Sequence, residues 1–100
     1  MPSEFTVEVQ QELRALLPGF LARRQRDVAQ LETLLAELDF GGIRLVGHNM
    51  KGVGGGYGFL QVSALGARLE DAAQHGDAAA AAACIADYQR FLSGVNVVFV

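Results

Sequence analysis

This sequence has few of the residues that mark extracellular or nucleic-acid-binding proteins. It contains one cysteine, Cys84, and no tryptophan among 100 residues. A single cysteine cannot form an internal disulfide, so the fold depends on side-chain packing and a reducing cytoplasm is the expected compartment. The net charge of −3 leaves no basic excess to neutralise phosphates, which argues against a broad nucleic-acid footprint.

Long hydrophobic runs are also missing. The longest uncharged run extends from Gly52 to Ala67. It is shorter than the ~20 apolar residues that span a bilayer, and it is rich in glycine. Near the start of the chain, Glu4, Glu8 and Glu12 stand where a secretory signal would carry basic residues. We therefore expect neither a membrane span nor an export signal.

Glycine, in contrast, is abundant and unevenly placed. A chain of 100 residues can build one domain around one core, so residues 1–100 are expected to form a single domain. Eight of the 12 glycines fall between positions 41 and 58. Composition alone predicts a loop there, because each interior glycine costs a helix ~0.5–1 kcal/mol relative to alanine.

Apolar residues at helical spacing predict helices on both sides of this region. An N-terminal helix is predicted over residues 3–17, ending near Pro18-Gly19. The bundle itself is predicted over residues 20–93, with an apolar stripe from Leu21 to Leu38 on its first helix. Residues 95–100 have a β-rich composition, but no other strand is predicted for them to pair with. We expect them to form an apolar tail, irregular or helical, across the bundle.

The glycine-rich segment itself follows a helical period. Val46, Met50, Val53 and Tyr57 are spaced 4-3-4, so they lie within about 60° of one another on a helical wheel. This narrow stripe is expected to face the core. His48 falls on the opposite side of the same helix and is therefore expected to face away from the core.

The residues beside His48 suit an anion. Arg44 lies one turn before it, and Lys51 and Gly52 lie one turn after it. Two cations hold an imidazole neutral and attract phosphate, and a neutral imidazole nitrogen is a competent nucleophile. Gly52 and Gly55 remove side chains around the ring, which lets another macromolecule approach. Together these features indicate a docking face that can be phosphorylated.

The segment from Gly47 to Phe59 resembles the H-x-x-K-G motif of histidine-containing phosphotransfer (HPt) domains, including the small residues after Lys51-Gly52. The resemblance covers most of positions 20–92. It includes an aspartate that opens the histidine-bearing helix, core leucines, a Leu-Glu pair and a Gly-Asp turn. These are Asp39-Phe40, Leu65, Leu69-Glu70 and Gly76-Asp77.

The resemblance implies an all-α fold, an up-down antiparallel four-helix bundle, here with an additional N-terminal helix. His48 would accept a phosphoryl group from a receiver phospho-aspartate or a histidine kinase and pass it to another receiver aspartate. Lys51 would screen the phosphoryl charge, and Gly52 would keep the face open. Glu70 would accept a hydrogen bond from Nδ1–H of the ring, which leaves Nε2 free to attack.

A domain of this kind is a phosphotransfer intermediate without autonomous catalysis. Its expected partner is a response-regulator receiver domain or a hybrid histidine kinase, bound through Arg44, Gly52 and Gly55. No nucleic acid, membrane or metal partner is expected, and we expect a cytoplasmic monomer. No cofactor is expected either, because the receiver supplies the Mg²⁺. Gly47, where relatives often have alanine, and the glycines that follow Val53 depart from the family pattern and are expected to loosen the helix.

Several of these residues have a simpler interpretation. Glu70 could be solvated, or could form a surface salt bridge with Lys51 or Arg44 that contributes little. His75, at a predicted helix end, suits a partner of the helix dipole, and Cys84 suits a small core residue. Three arginines on the helix before the His48 helix could form a solvated face or meet an acidic receiver. They are Arg23, Arg24 and Arg26.

Other kinds of site fit the sequence poorly. A G-x-G-x-x-G phosphate loop starting at Gly52 would need glycine at position 57, which is Tyr57. No H-x-x-x-H or C-x-x-C spacing supports a metal site, and a bundle of this size can hardly enclose a hydrolase pocket. Two alternatives stay open. One is a helical interaction module that binds receivers or kinases without being phosphorylated. The other is a phosphoacceptor segment of a chemotaxis-type kinase, which would require kinase domains downstream.

Overall fold

Four α-helices and two short strands make up residues 5–100, the part of the chain that the computed structural model describes. The helices are α1 (Leu17–Ala36), α2 (Phe40–Tyr57), α3 (Leu60–Gln74) and α4 (Ala78–Gly94). Strand β1 (Phe5–Val9) and a 3₁₀ helix (Gln11–Leu16) precede them, and strand β2 (Val95–Phe99) follows them. The predicted all-α bundle of four helices is confirmed, and two elements outside it differ from prediction.

Two of the four helices, α2 and α4, begin at an aspartate that caps them. The Asp39 carboxylate accepts a hydrogen bond from Gly42 N at 2.9 Å at the start of α2, and Asp77 does the same for Ala80 at the start of α4. Gly58 ends α2 with a φ of 79°, a left-handed conformation that glycine adopts without strain. The glycine-rich segment is therefore a continuous helix with defined ends.

The core lies between the helices and includes a cluster of aromatic rings. Helix α2 packs on α1 and α3, and α4 packs on α3 and α1. Phe20 stacks on Tyr57 with ring centroids 4.2 Å apart and also contacts Phe59, which meets Phe91 edge-on. Edge-to-face and offset contacts are the favourable arrangements for aromatic pairs. Side chains from α1, α2 and α4 thus meet around Phe59, in the connection before α3.

The helix predicted over residues 3–17 is wrong for Phe5–Val9, which form β1; residues 1–4 lie outside the described part. Val7 and Val9 are buried while Thr6 and Glu8 are exposed, which is the two-residue period of a strand. The 3₁₀ helix then leads into α1, which begins at Leu17 instead of starting after Pro18-Gly19. Proline suits the first turn of a helix because its missing N–H would have no partner there.

The expectation of an irregular or helical tail is also wrong, because Val95–Phe99 form β2. This strand pairs in parallel with β1, in a register that joins Phe5 to Val95 and Val9 to Phe99. The ladder satisfies backbone groups of both strands, and β-branched side chains suit it. The two ends of the described chain therefore lie side by side.

Two residues of the α1 region differ from their predicted surroundings. Leu38 was placed on the core stripe, but it is exposed and has a φ of 54° just beyond the end of α1. Arg24 was grouped with a solvated face, but it is buried, with its Nε 2.7 Å from Oδ2 of Asp27. Arg24 can be buried because its charge is paired and its guanidinium lies over the Phe20 ring.

Within residues 5–100, no helix has both the length and the apolar character needed to cross a membrane.

Candidate functional site

His48 lies on the outer side of α2, and 69% of its side chain is exposed. The helix turns Val46 and Met50 inward, where both are buried, and keeps Val53 and Tyr57 partly buried on the same side. The predicted orientation of the stripe is therefore confirmed. An imidazole placed in this way is accessible to another macromolecule.

Glu70 on α3 lies beside the His48 ring. Its Oε2 is 3.5 Å from Nδ1 of His48, which is longer than an ordinary hydrogen bond. The carboxylate is nonetheless the charged group nearest to that nitrogen, and its side chain is only 22% exposed. In the described part of the chain, Nε2 of His48 has no hydrogen-bond or ion-pair partner.

Lys51 pairs with the other oxygen of the same carboxylate. Its Nζ lies 3.0 Å from Oε1 of Glu70. The sequence left either Lys51 or Arg44 as a salt-bridge partner for Glu70, and in the structure the partner is Lys51. Hydrogen bonding to the Lys51 ammonium lowers the pKa of Glu70, against the opposing effect of desolvation, and the charges of Lys51 and His48 lower it further. One carboxylate thus faces both the ring and the ammonium.

Two glycines bring Glu70 close enough to reach His48. A Cβ on Gly47 would lie 2.7 Å from the Gly66 carbonyl oxygen, and one on Gly66 would lie 2.5 Å from the Gly47 carbonyl oxygen. Real Cβ atoms do not approach this closely, so only glycine lets α2 and α3 lie together here. His48 follows Gly47 on α2, and Glu70 lies one turn after Gly66 on α3. The close contact between the two glycines therefore places Glu70 beside His48.

The glycines that follow Lys51 on α2 divide into a buried one and an exposed set. Gly54 faces α3, where a Cβ would lie 2.7 Å from Ser63 Oγ, whereas Gly52 and Gly56 have no atom within 4 Å of a Cβ position. Gly55 is nearly as open, with Ser63 Oγ at 3.9 Å. Gly52 and Gly55 therefore lie on an open surface, as their predicted docking role requires.

A shallow depression of about 210 Å³ lies next to the ring and is lined by Arg44, Leu45, His48 and Glu70. Leu45 was not among the predicted site residues, yet it is 62% exposed. Its position three residues before His48 was the available signal, because residues at that spacing share a helix face. A single exposed leucine in this position gives the site an apolar edge beside its charged groups.

Other residues that the sequence singled out lie elsewhere. His75 is at the C-terminal end of α3, with its Nδ1 2.8 Å from the Asp71 carbonyl oxygen. Cys84 is buried in the core, as predicted, with Sγ 3.3 Å from the Leu65 carbonyl oxygen. Across residues 5–100, no three His, Cys, Asp or Glu side chains form a group that could hold a metal ion.

The fold is an all-α helical bundle, and its second helix presents an exposed histidine. A family model, the Hpt domain, matches residues 10–96. Since this match covers most of the chain, the chain belongs to the Hpt domain family, and membership implies a phosphotransfer carrier in two-component signalling that interacts with receiver domains or histidine kinases. No curated protein and no solved structure matches the chain.

Proposed function

We propose that His48 is the phosphoacceptor of a phosphorelay, taking a phosphoryl group from a receiver phospho-aspartate or a histidine kinase and passing it to another receiver. The observation that supports this most is the pairing of an exposed imidazole with a carboxylate near only one of its nitrogens. A carboxylate beside Nδ1 favours the tautomer with hydrogen on Nδ1, which leaves a lone pair on Nε2. Nε2 is then the nucleophile.

The transfer moves one phosphoryl group and one electron pair. Nε2 of His48 attacks phosphorus, the N–P bond forms, and the bond from phosphorus to the aspartyl oxygen breaks. The receiver carboxylate leaves with the bonding electrons, and the ring keeps its proton on Nδ1. The receiver brings its own Mg²⁺, so this chain contributes the nucleophile, the Lys51 charge and the Glu70 carboxylate. The reverse step returns the phosphoryl group to a receiver aspartate.

Docking would use the surface around the ring. Gly52 and Gly55 leave the α2 backbone open, so a receiver can bring its aspartate close to Nε2. Arg44 supplies a positive charge for an acidic receiver, and Leu45 supplies apolar contact area. We further propose that the four helices run up and down in antiparallel order, which the short turns between them favour, and that the protein acts as a cytoplasmic monomer.

Phosphotransfer from a phosphorylated receiver tests the proposal. We expect wild-type protein to acquire phosphate that is labile in acid and stable in base, the behaviour of a phosphoramidate, and His48→Gln to acquire none. His75→Gln is the matched control, because that histidine does not line the depression beside His48 and is also largely exposed. Label that persists in His48→Gln, or is lost only in His75→Gln, would contradict the assignment.

The same experiment separates the alternative function. A helical interaction module would bind the receiver but take up no phosphate. Binding without label on wild-type protein would therefore favour that alternative, whereas label that depends on His48 favours a carrier.

A further inference from the structure

A second depression, of about 380 Å³, lies at the C-terminal end of α2. It is lined by the last residues of α2, by β1 and the residues after it, and by the end of β2. The lining includes Glu8, Leu13, Gly55, Gly56, Tyr57 and Val100. Two of these, Glu8 and Val100, fall outside residues 10–96, which match the Hpt domain model. Part of the rim therefore lies outside the matched bundle.

Backbone contacts hold this rim in place. Val100 N donates to the Val9 carbonyl oxygen at 2.9 Å, and the Val100 carbonyl oxygen accepts from Gln11 N at 3.1 Å. The Glu8 carbonyl oxygen lies 3.4 Å from where a Cβ on Gly58 would be, so β1 ends against the end of α2. A surface that is already formed loses little conformational entropy when a partner binds.

The depression continues the face of α2 that carries His48. Gly55 follows His48 by seven residues, which is about 10 Å along the helix axis and within about 20° of the same direction. Gly52 lies between them, and a Cβ there would meet no atom within 4 Å. A protein that docks over His48 can therefore extend across these two glycines into the depression.

The two ends of this surface carry opposite charges. Arg44 lines the depression beside His48, whereas Glu8 is a lining residue of the depression at the other end. Both side chains are exposed, and neither has an ion-pair partner within residues 5–100. A receiver suits the positive end, because the site that holds its Mg²⁺ is rich in carboxylates. The negative end suits a basic side chain.

We propose that the depression at the end of α2 is a second docking point for the receiver, and that it takes a lysine or arginine side chain of that receiver. This inference rests on the proposed function. The apolar stem of the side chain lies on Leu13, Tyr57 and Val100, and its charge pairs with Glu8. A receiver whose basic residue stands at the matching distance from its aspartate makes both contacts, so the depression contributes to the choice of receiver.

Two phosphoryl donors of different size test this inference. A phosphorylated receiver has to dock, whereas phosphoramidate is a small donor that reaches His48 without touching the depression. We expect Glu8→Lys to slow phosphoryl transfer from the receiver to His48 about three- to tenfold at receiver concentrations below saturation. The rate of phosphorylation by phosphoramidate should stay the same, which also shows that the variant is folded around His48.

Glu12→Lys is the matched control. It makes the same change in net charge at an exposed residue that does not line the depression, and screening should keep its effect below about twofold. The apolar part is tested with Val100→Ser and its control Val98→Ser. Both side chains are exposed, by 59% and 42%, but only Val100 lines the depression, so only Val100→Ser should slow transfer from the receiver.

The outcomes separate the two proposals. If Glu8→Lys and Glu12→Lys slow the receiver reaction equally or not at all, or if Glu8→Lys slows phosphoramidate as much as the receiver, the second docking point is wrong while His48 remains the phosphoacceptor. Equal effects of the two serine variants contradict the apolar contact in the same way. If His48 takes a phosphoryl group from neither donor, the proposed function fails, and the docking point fails with it.

Discussion

Tyr88 carries a hydroxyl into the interior and binds a charged group there. The residue is fully buried on α4, and its hydroxyl donates to Oδ2 of Asp27 on α1 at 2.9 Å. Arg24 donates to the same oxygen. Desolvation, followed by the charge and hydrogen bond of Asp27, raises the pKa of Tyr88 well above its usual range. This contact links α1 to α4 through a hydrogen bond between polar side chains.

Removing the Tyr88 hydroxyl should therefore weaken the fold. We expect Tyr88→Phe to lower the free energy of unfolding by about 1–3 kcal/mol, because a half-buried carboxylate loses a donor. Urea denaturation followed by circular dichroism measures the change. Tyr57→Phe is the control: that side chain is half-buried, and its loss of a hydroxyl should change stability by less than about 0.5 kcal/mol.

The pH dependence gives the same prediction a sign. A tyrosine whose pKa is raised by folding keeps its proton in the native state. Its contribution to the free energy of unfolding is therefore fully present below about pH 10, the pKa of tyrosine in the unfolded chain. Above that pH the unfolded state loses the proton first, and stability falls. The fall should be weaker in Tyr88→Phe than in wild type. Equal alkaline destabilisation of both proteins, or equal effects of the two tyrosine substitutions, would show that the Asp27 contact contributes nothing.

At the scale of elements, the contact between α2 and α3 decides how close Glu70 comes to His48. The Gly66 carbonyl oxygen lies 2.7 Å from where a Cβ on Gly47 would be, and the Gly47 carbonyl oxygen lies 2.5 Å from where a Cβ on Gly66 would be. Glycine inside a helix lowers the stability of that helix. Here the close packing of the α2 and α3 backbones offsets this loss. Gly47 is therefore a helix-contact residue.

Alanine substitutions at two glycines of α2 should consequently have opposite effects. Gly47→Ala is expected to lower the free energy of unfolding by about 1–3 kcal/mol, because its methyl group overlaps backbone atoms of α3. Gly52→Ala is the matched change on the open side, with nothing within 4 Å of its Cβ position. It should raise stability by ~0.5–1 kcal/mol through helix propensity. Thermal and urea denaturation measure both.

A second readout connects this element to the site. Gly47→Ala should also move the ¹⁵N shifts of the His48 ring, because pushing α3 outward takes the Glu70 carboxylate away from Nδ1. If both alanine variants were stabilised, or if the ring shifts stayed the same in Gly47→Ala, the close contact would not be what positions Glu70.

At the scale of the whole molecule, the first and last described elements form a parallel pair. Such a ladder needs strands that are brought together by everything between them, here the four helices from Leu17 to Gly94. Val7 and Val9 turn inward from β1 and are buried, while Val95, Val97 and Phe99 of β2 pack partly against the core. The sheet therefore packs against the hydrophobic core of the bundle through the inward-facing side chains of both strands.

Neighbouring valines of β2 offer a matched test of this packing. Val97→Asp should lower the free energy of unfolding by about 1–3 kcal/mol more than Val98→Asp, since it places a charge against the core. The Val98 side chain points outward and is 42% exposed, but its substitution by aspartate causes the same loss of β propensity. Urea unfolding of both variants gives the difference. Equal destabilisation would mean that residues 95–99 do not pack on the bundle in this register.

Much of the bundle could be predicted because its signals are local. The 4-3-4 spacing from Val46 to Tyr57 was enough to orient α2 and to expose His48, even through a run of glycines. Residues three or four apart on a helix share a face whatever surrounds the helix. Leu38 and Arg24 were placed wrongly because a helix end and a buried ion pair both interrupt that period.

The two strands could not be predicted in the same way. Phe5, Val9 and Leu13 fit a helical period as readily as Phe5, Val7 and Val9 fit a strand, and the partner that decides between them is β2. Phe5 pairs with Val95, a contact between distant parts of the chain. Each segment was assigned in isolation, and a strand has no stable conformation without its neighbour.

Local sequence signals were sufficient to predict the four helices, an outward histidine with a lysine one turn away, and membership of the Hpt domain family. Three features depend on how the whole chain folds: the pairing of β1 with β2, the burial of Arg24, and the position of Glu70 between His48 and Lys51. The physical reason is the range of the interactions. Helical period and capping depend on residues a few positions apart, whereas strand pairing and the Gly47–Gly66 contact depend on which segments the folded chain brings together.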